Sequence, residues 1–473
     1  MANVNLIIDG KALSVPAGTT VLEAARENGI RIPTLCFLKD LDPRASCRMC
    51  VVEIEGARTF QHACATKVRE GMVVHTDTEG VRESRKLTLE LLLSNHAVDC
   101  HHCLRIGSSR CDDLDPKFCE MCFFCDCVKD GFCELQALAR EYRVDVLPFE
   151  QKHNTHPIDA TTVIVRNPNK CIKCRRCVDV CGKVQTVHNL AASGRGCEVT
   201  IGPAFGKSMA KSDCVGCGRC VEVCPTGAIY AMEHKDEMVY FAHRDGIRTA
   251  AVLDADAIPE LERVLKLQPG TVTPEQIAGS LKKIGVDDVY DAASLRAAAE
   301  AEAERMLAEQ LEKGKPAILT DSFAAKAFLE KNYHERKDSF VFYDSVIAEF
   351  GHALREKYDK LFAVTPIGND AVETEKTHPV DITMNPRELS LIMIRTGAEP
   401  NPKRTTELKQ LTLPQPGGKY GKLLEKAEWS MEKGCEPETF IVEGLKCVIC
   451  HNLGQARTIL NSGENYDVIR VIG

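Results

Sequence analysis

The chain has 473 residues, 44% of them hydrophobic, and a formal net charge of -8, enough length and apolar content for three or four ordinary cores without covalent staples. The charge is spread thinly, which excludes a nucleic-acid footprint and a polybasic membrane patch. No apolar run reaches the 18 residues that span a bilayer, and Met1–Gly10 (MANVNLIIDG) has no charged n-region before an apolar stretch, so a cytoplasmic protein without a transmembrane segment is expected.

Residues 3–8 alternate apolar and polar before Asp9-Gly10 turns the chain into KALSV, the pattern of a β-hairpin. A helix follows: Thr19 or Thr20 caps it, Glu23 supports the cap, Val21, Leu22 and Ala25 recur at helical spacing, and Gly29 ends it. Next comes Cys36-x10-Cys47-x2-Cys50-x13-Cys64. Thiolates are the soft ligands that iron-sulfur clusters require, and two cysteines two residues apart can reach one iron while a remote one closes the other. Zinc is the alternative for any four-cysteine set. Periodicity alone gives a small α+β unit. With RASCRMC at 44–50 the segment resembles the β-grasp 2Fe-2S ferredoxin domain of the iron-only hydrogenases and of the large iron-sulfur subunit of complex I, which implies one 2Fe-2S cluster.

From Ser84 to Val144 the sequence mixes cysteine with helical stretches such as LTLELLLSNH and ELQALAREYRV, as expected of a small helical unit around metal. His96-x3-Cys100-x2-Cys103 is followed much later by Cys133 in GFCELQALA. In the same two families this spacing holds a 4Fe-4S cluster by one histidine and three cysteines, so the resemblance implies His96, Cys100, Cys103 and Cys133 as ligands. The chain departs from those families by an expanded interval holding Cys111, Cys119, Cys122, Cys125 and Cys127. Cys119-x2-Cys122-x2-Cys125 has 4Fe-4S spacing, with Cys111 or Cys127 as fourth donor. Alternatives are zinc, free thiols, or a pairing of Cys127 and Cys133 in the histidine cluster.

The run Cys171-x2-Cys174-x2-Cys177-x3-Cys181 repeats as Cys214-x2-Cys217-x2-Cys220-x3-Cys224-Pro225. This is the signature of a bacterial two-cluster ferredoxin, in which the fourth cysteine of each run ligates the other cluster. Cys171, Cys174, Cys177 and Cys224 are therefore expected at one 4Fe-4S cluster, and Cys214, Cys217, Cys220 and Cys181 at the second. Cys197 is left over as a buried thiol.

Twenty-one of the 24 cysteines lie between Cys36 and Cys224. After residue 252 helical segments alternate with short apolar strands such as PAILT, SFVFY and DVIRVI, an α/β pattern. The Ala-rich stretch around 292–314 reads as a packing or surface helix. DGIRTAAVLDADAIPELE, MNPRELSLIMIRTGAEPN and YDVIRVIG resemble, in order, the catalytic domain of the iron-only hydrogenases, so the likeness runs over nearly the whole chain. Yet the family's active-site cysteines have no counterparts: ILTDSFAAKAF places Asp321 and Ser322, and VTPIGND places Ile367, where the family has thiol ligands, and the final pair would follow VIRVIG. Neither a hydroxyl nor an alkyl group is a soft anionic donor. Cys447-x2-Cys450-His451, with Cys435 upstream, is a further candidate for zinc, a small cluster or a redox pair, against three ordinary cysteines. There is no GxGxxG after a strand and no GxxxxGKS or GxxxxGKT, so no nucleotide site is expected here.

The expected fold is α+β and multidomain: a β-grasp 2Fe-2S ferredoxin domain (1–80), a small helical His/Cys 4Fe-4S domain with a cysteine-rich insertion (81–160), a bacterial two-4Fe-4S ferredoxin domain (161–240) and an α/β hydrogenase-like domain (241–473). One 2Fe-2S and three 4Fe-4S clusters are expected, with a fourth in 104–132. No catalytic residue is assigned. The resemblance implies an electron-transfer subunit of a cytoplasmic NAD(P)H- and ferredoxin-linked, electron-bifurcating complex. Its expected partners are a flavin subunit that binds NAD(P)H, a small 2Fe-2S subunit, ferredoxin, and a catalytic subunit such as a hydrogenase or formate dehydrogenase. The alternatives are a catalytic subunit with its own C-terminal metal and a complex I-like NADH dehydrogenase subunit.

Overall fold

The first strands, β1 (Asn3–Ile8) and β2 (Lys11–Pro16), pair antiparallel across Asp9 and Gly10, both left-handed at φ 49° and 79°, the twist that matches a two-residue hairpin. The computed structural model describes residues 2–96, 128–129, 133–144, 148–149, 156–366, 368–411, 420–424, 436–442 and 444–472. With β3 (Val51–Ile54), β4 (Gln61–His62) and β5 (Met72–His75) the hairpin forms a five-stranded sheet in the order β2-β1-β5-β3-β4, β1 running parallel to β5. Of the two threonines, Thr20 caps the helix Val21–Glu27: its hydroxyl accepts from the Glu23 amide at 3.2 Å, and the Glu23 carboxylate accepts from the Thr20 amide at 2.9 Å. Leu22 and Ala25 from this helix meet Ile8, Val52 and Val74 from the sheet, and Cys50 and Cys64 belong to the same core.

The helix Glu79–Leu93 buries Val81, Leu89 and Leu93. Leu89 and Leu93 pack on Leu135 and Leu138 of the helix Glu134–Glu141. Arg85, buried between these elements, donates to the Val51 carbonyl at 2.7 Å and to the Tyr142 hydroxyl at 3.0 Å.

Two antiparallel ribbons follow: β6 (Ile164–Arg166) with β9 (Ile229–Ala231), and β7 (Leu190–Ser193) with β8 (Thr200–Pro203). The short helices Arg176–Asp179 and Arg219–Glu222 begin the return from each cysteine loop. Bidentate ion pairs fasten this region to what precedes it. Arg44 donates to both oxygens of the buried Asp179 at 2.7 and 2.5 Å, and Arg176 to both oxygens of Glu134 at 2.6 and 3.0 Å. Removing one partner of a buried pair leaves the other desolvated; Lys183, 3.7 Å from Asp179, offsets part of that. Arg44→Ala is expected to lower stability by about 2 kcal/mol, measured as a lower melting temperature.

The rest of the chain supplies β10 (Thr249–Leu253), β11 (Asp288–Asp291), β12 (Ala317–Thr320), β13 (Phe340–Phe342), β14 (Lys360–Val364), β15 (Ile382–Met384), β16 (Glu438–Val442), β17 (Leu445–Cys450) and β18 (Val468–Val471). They form two sheets, β11-β10-β14-β15 and β13-β12-β18-β17-β16, parallel except for β16. Helices cover both faces of such sheets, which is why β10, β12 and β18 are buried at every position. The Ala-rich helix Ala292–Glu312 packs Leu295, Ala299, Ala303 and Leu307 against these cores while Arg305 pairs with Glu302 on its outer side. It is the packing helix its composition suggested. Among the described residues, no helix is long and apolar enough to cross a membrane.

Candidate metal centres

Cys36, Cys47, Cys50 and Cys64 are all buried free thiols. Cys50 and Cys64 lie 3.3 Å apart, and a hydrogen bond from Cys47 pulls the Cys36 thiol below the usual thiol range while the same contact and burial push Cys47 up. Cys64 likewise lowers Cys50 and is itself raised. Two close thiol pairs, each primed to lose a proton, fit a cationic iron core.

His96 is buried just beyond the helix Glu79–Leu93, its amide bonded to the Leu93 carbonyl at 3.2 Å. Cys133 caps the helix Glu134–Glu141, its sulfur accepting from the Gln136 amide at 3.4 Å. The candidate ligands between them, Cys100, Cys103, Cys111, Cys119, Cys122, Cys125 and Cys127, lie outside the described residues.

The duplicated runs fold as near copies. In each, the second residue after the first cysteine is left-handed (Lys173 at φ 57°, Gly216 at 77°), and so is the residue after the second (Arg175 at 64°, Gly218 at 70°). This curl lets the Lys173 amide donate to the Cys171 sulfur and the Gly216 amide to the Cys214 sulfur, both at 3.4 Å. The two sets close crosswise. Cys171, Cys174 and Cys177 line one cavity with Cys224, and Cys214, Cys217 and Cys220 line another with Cys181. Burial pushes the Cys171 thiol up to about 11 and Cys174 and Cys217 up to about 12, with Cys177 and Cys220 raised well above the usual thiol range. Four buried thiolates at one spot are tenable only around compensating positive charge, which a cluster core provides.

Arg176 and Arg219 were not singled out from sequence. Each is a buried cation immediately before the third cysteine of its run, and that repeated position was the available signal. The sets are also contiguous. One apolar cluster holds Cys36, Cys47, Cys133 and Cys174, the next holds Cys177 and Cys220, and the Glu134 amide bonds the Pro225 carbonyl at 2.9 Å.

Cys447 and Cys450 fall to the alternative of ordinary cysteines rather than to a shared metal site. Both are fully buried on β17, but residues three apart on a strand face opposite sides: Cys447 lies in the core with Leu307 and Val468, Cys450 in the core with Phe328 and Leu453. Two thiols on opposite faces of a sheet cannot share a metal. Burial raises Cys450 to about 12, the state of an inert core thiol. Cys435 lies outside the described residues.

The parallel strands point their C-terminal ends at a cavity of about 180 Å³ lined by Asp321, Ser322, Thr365, Asp370, Glu373 and, from the ferredoxin-like side, Arg219. The Ser322 hydroxyl is spent on capping the helix Phe323–Asn332, accepting from the Ala325 amide at 3.3 Å. Ile367 lies outside the described residues. Burial pushes Asp370 up to about 6 and Glu373 to about 8, while the Ser345 hydroxyl donates to Glu373 at 2.8 Å. Among the described residues, no thiol lines this cavity.

Three family models match the chain: a 2Fe-2S iron-sulfur cluster binding domain over 1–79, a 4Fe-4S binding domain over 211–230, and the iron-only hydrogenase large subunit, C-terminal domain, over 250–468. The fold and thiol sets thus define an iron-sulfur protein with mixed α/β content and a hydrogenase-like C-terminal domain. More particularly, its C-terminal domain resembles that of the iron-only hydrogenases, and the chain is similar to subunits of a hydrogenase and of an NADH-quinone oxidoreductase. The NADP-reducing hydrogenase subunit HndD of Solidesulfovibrio fructosivorans is 38% identical over 299 residues, 62% of this chain and 47% of that one. An NADH-quinone oxidoreductase subunit of Rhizobium meliloti strain 1021 is 39% identical over 213 residues, 44% of this chain and 22% of that one. This chain therefore spans about half, or less, of the length of these relatives. A solved NAD+-reducing nickel-iron hydrogenase in the H2-reduced state is 27% identical, covers 48% of this chain and 87% of its own, and has a TM-score of 0.41.

Proposed function

We propose that the chain is the iron-sulfur conductor of an NAD(P)H- and ferredoxin-linked, electron-bifurcating complex. It passes electrons between a flavin subunit, ferredoxin and a catalytic partner such as a hydrogenase or formate dehydrogenase. The observation that carries the reading is a contrast. Buried thiols follow one another from Cys36 to Cys220 through shared apolar clusters, while the hydrogenase-like cavity beyond them is walled by carboxyls and hydroxyls. Hard oxygen donors do not hold a soft thiolate cluster. The relatives are subunits of NADH- or NADPH-linked oxidoreductases by name, which supports a flavin-bearing partner, and a sequence without nucleotide motifs leaves the NAD(P)H site to that partner.

In this reading Cys36, Cys47, Cys50 and Cys64 hold a 2Fe-2S cluster, and His96, Cys100, Cys103 and Cys133 a 4Fe-4S cluster. The crossed cysteine sets hold two more, and the 104–132 interval supplies a fourth 4Fe-4S site from Cys111, Cys119, Cys122, Cys125 and Cys127. Such clusters supply one-electron states at potentials down to about -400 mV and below. The protein's own part is to space the thiols, bury them and aim amides such as those of Lys173, Asn189 and Gly216 at their sulfurs, the contacts that tune potential. Purified anaerobically, the chain is expected to carry about 18 iron atoms and to show 2Fe-2S and 4Fe-4S EPR signals on reduction. About 14 would remove the site in the 104–132 interval, and iron replaced by zinc would remove the reading. Proteins recovered with the native complex identify the partners.

A further inference from the structure

Two carboxyls that electron transfer does not need stand beside the last cysteine set. Arg219 lines both the cavity of Cys181, Cys214, Cys217 and Cys220 and the 180 Å³ cavity of the hydrogenase-like domain, and its positive charge favours the anionic forms of both Cys217 and Asp370. Glu373, one helical turn on from Asp370, is 8% exposed. Glu373 also lines a second cavity of about 530 Å³ that holds the exposed His352, Glu356 and His378. Asp370, Glu373 and the Ser345 hydroxyl thus form a line of exchangeable groups from Arg219 to a solvent-reached pocket.

We propose that Asp370 and Glu373 are a proton-loading site coupled to the Cys181, Cys214, Cys217 and Cys220 centre, taking one proton from solvent through the larger cavity for each electron that arrives there. The inference rests on the conductor reading. The balance is simple: a low-potential reductant gives one electron to the centre, one O–H bond forms on a carboxylate, and the proton comes from water or buffer. An added negative charge in a low-dielectric site is costly unless a proton follows it, and Arg219, a guanidinium, cannot supply that response because it is already charged.

Several of the other groups facing the pair are committed. Asp254 is paired with Arg296 at 3.2 Å and Asp344 with His352 at 2.9 Å. Arg470 donates to the Leu423 carbonyl at 2.6 Å, and burial keeps the Tyr343 phenol protonated. Asp321 and Glu300 add negative charge, and Asp321 raises both members of the pair. The onset follows from the two carboxyls. Below about pH 6 both already carry protons, so reduction takes up none; above it Asp370, and from about pH 8 Glu373, can accept one.

The test is redox titration of the iron-loaded full chain between about pH 5 and 9, followed by EPR, with proton uptake measured in weakly buffered solution. One 4Fe-4S component is expected to be pH-independent below about pH 6 and to become up to tenfold harder to reduce per pH unit above it, about 59 mV for one electron. D370N should remove the part that begins near pH 6, E373Q the part that begins near pH 8, and Ser345→Ala should move the Glu373 onset upward by removing a hydrogen bond to the carboxylate. A slope that survives in D370N/E373Q, or reducible 4Fe-4S clusters with no proton uptake above about pH 6 in the unaltered chain, overturns the proposal alone. A chain that binds no reducible 4Fe-4S cluster overturns the conductor reading with it.

Discussion

Replacing Cys224 by serine is expected to abolish the centre of the first cysteine run, not that of the run in which Cys224 lies. About four iron atoms should be lost, and the missing EPR signal should be the one that Cys171→Ser also removes, while Cys214→Ser removes a different one. The reason is geometric. Cys224 follows the helix Arg219–Glu222 out of its own loop and arrives at the wall formed by Cys171, Cys174 and Cys177, where its charge raises all three thiols. Cys181 makes the reciprocal journey, and its sulfur accepts from the Asn189 amide at 3.2 Å in the cavity of Cys214 and Cys217. If Cys224→Ser and Cys214→Ser silenced the same signal, each run would hold its own cluster and the crossed assignment would fall.

The second large effect is expected at Gly216. A Cβ there would stand 2.5 Å from Cγ1 of Val372, on the helix Gly368–Thr377 of the hydrogenase-like domain, in a residue already at φ +77°. The equivalent position of the first run is Lys173 at φ 57°, so the left-handed conformation alone is tolerated by an ordinary side chain. What forbids one at 216 is the neighbour: valine is stiff at χ1 and cannot swing aside. Gly216→Ala should destabilise the chain by about 2–4 kcal/mol, the sum of backbone strain and overpacking, and lower the melting temperature accordingly. Gly216→Ala with Val372→Ala should recover the part due to the clash. A single variant as stable as the unaltered protein would show that the two regions do not pack through this contact. The same packing brings Ala371, Val372 and Phe323 against the cysteine loops, which is why the cavity behind them lies within reach of charge on the centre.

Much of this architecture is local and therefore legible in the amino-acid order. The left-handed pair Asp9 and Gly10, the reciprocal bonds of Thr20 and Glu23, and the buried runs of β10 and β12 each follow from a few consecutive residues. The cysteine loops belong to the same class. Two-residue spacings with left-handed residues between them curl a short segment until its sulfurs face one way, whatever surrounds it. Asp321 and Ser322, a carboxyl and a hydroxyl, were likewise legible without a structure, and both line the cavity of the hydrogenase-like domain.

The tertiary structure alone decided what meets across long separations. Cys447 and Cys450 have metal-like spacing in sequence, and a β-strand turned them to opposite faces of a sheet. Asp370 and Glu373 carry no motif, and Arg219 has only its repeated place before a cysteine. They converge because parallel strands deliver their C-terminal ends to one cavity and because one helix packs on a glycine of a cysteine loop about 150 residues earlier. Sequence by itself determined where the thiols are and that Asp321 and Ser322 are hard oxygen donors. Only packing, which joins groups by burial rather than by spacing, decided that Cys447 and Cys450 part to opposite cores and that Asp370 and Glu373 line a cavity whose wall, Arg219, also lines that of the last cysteine set.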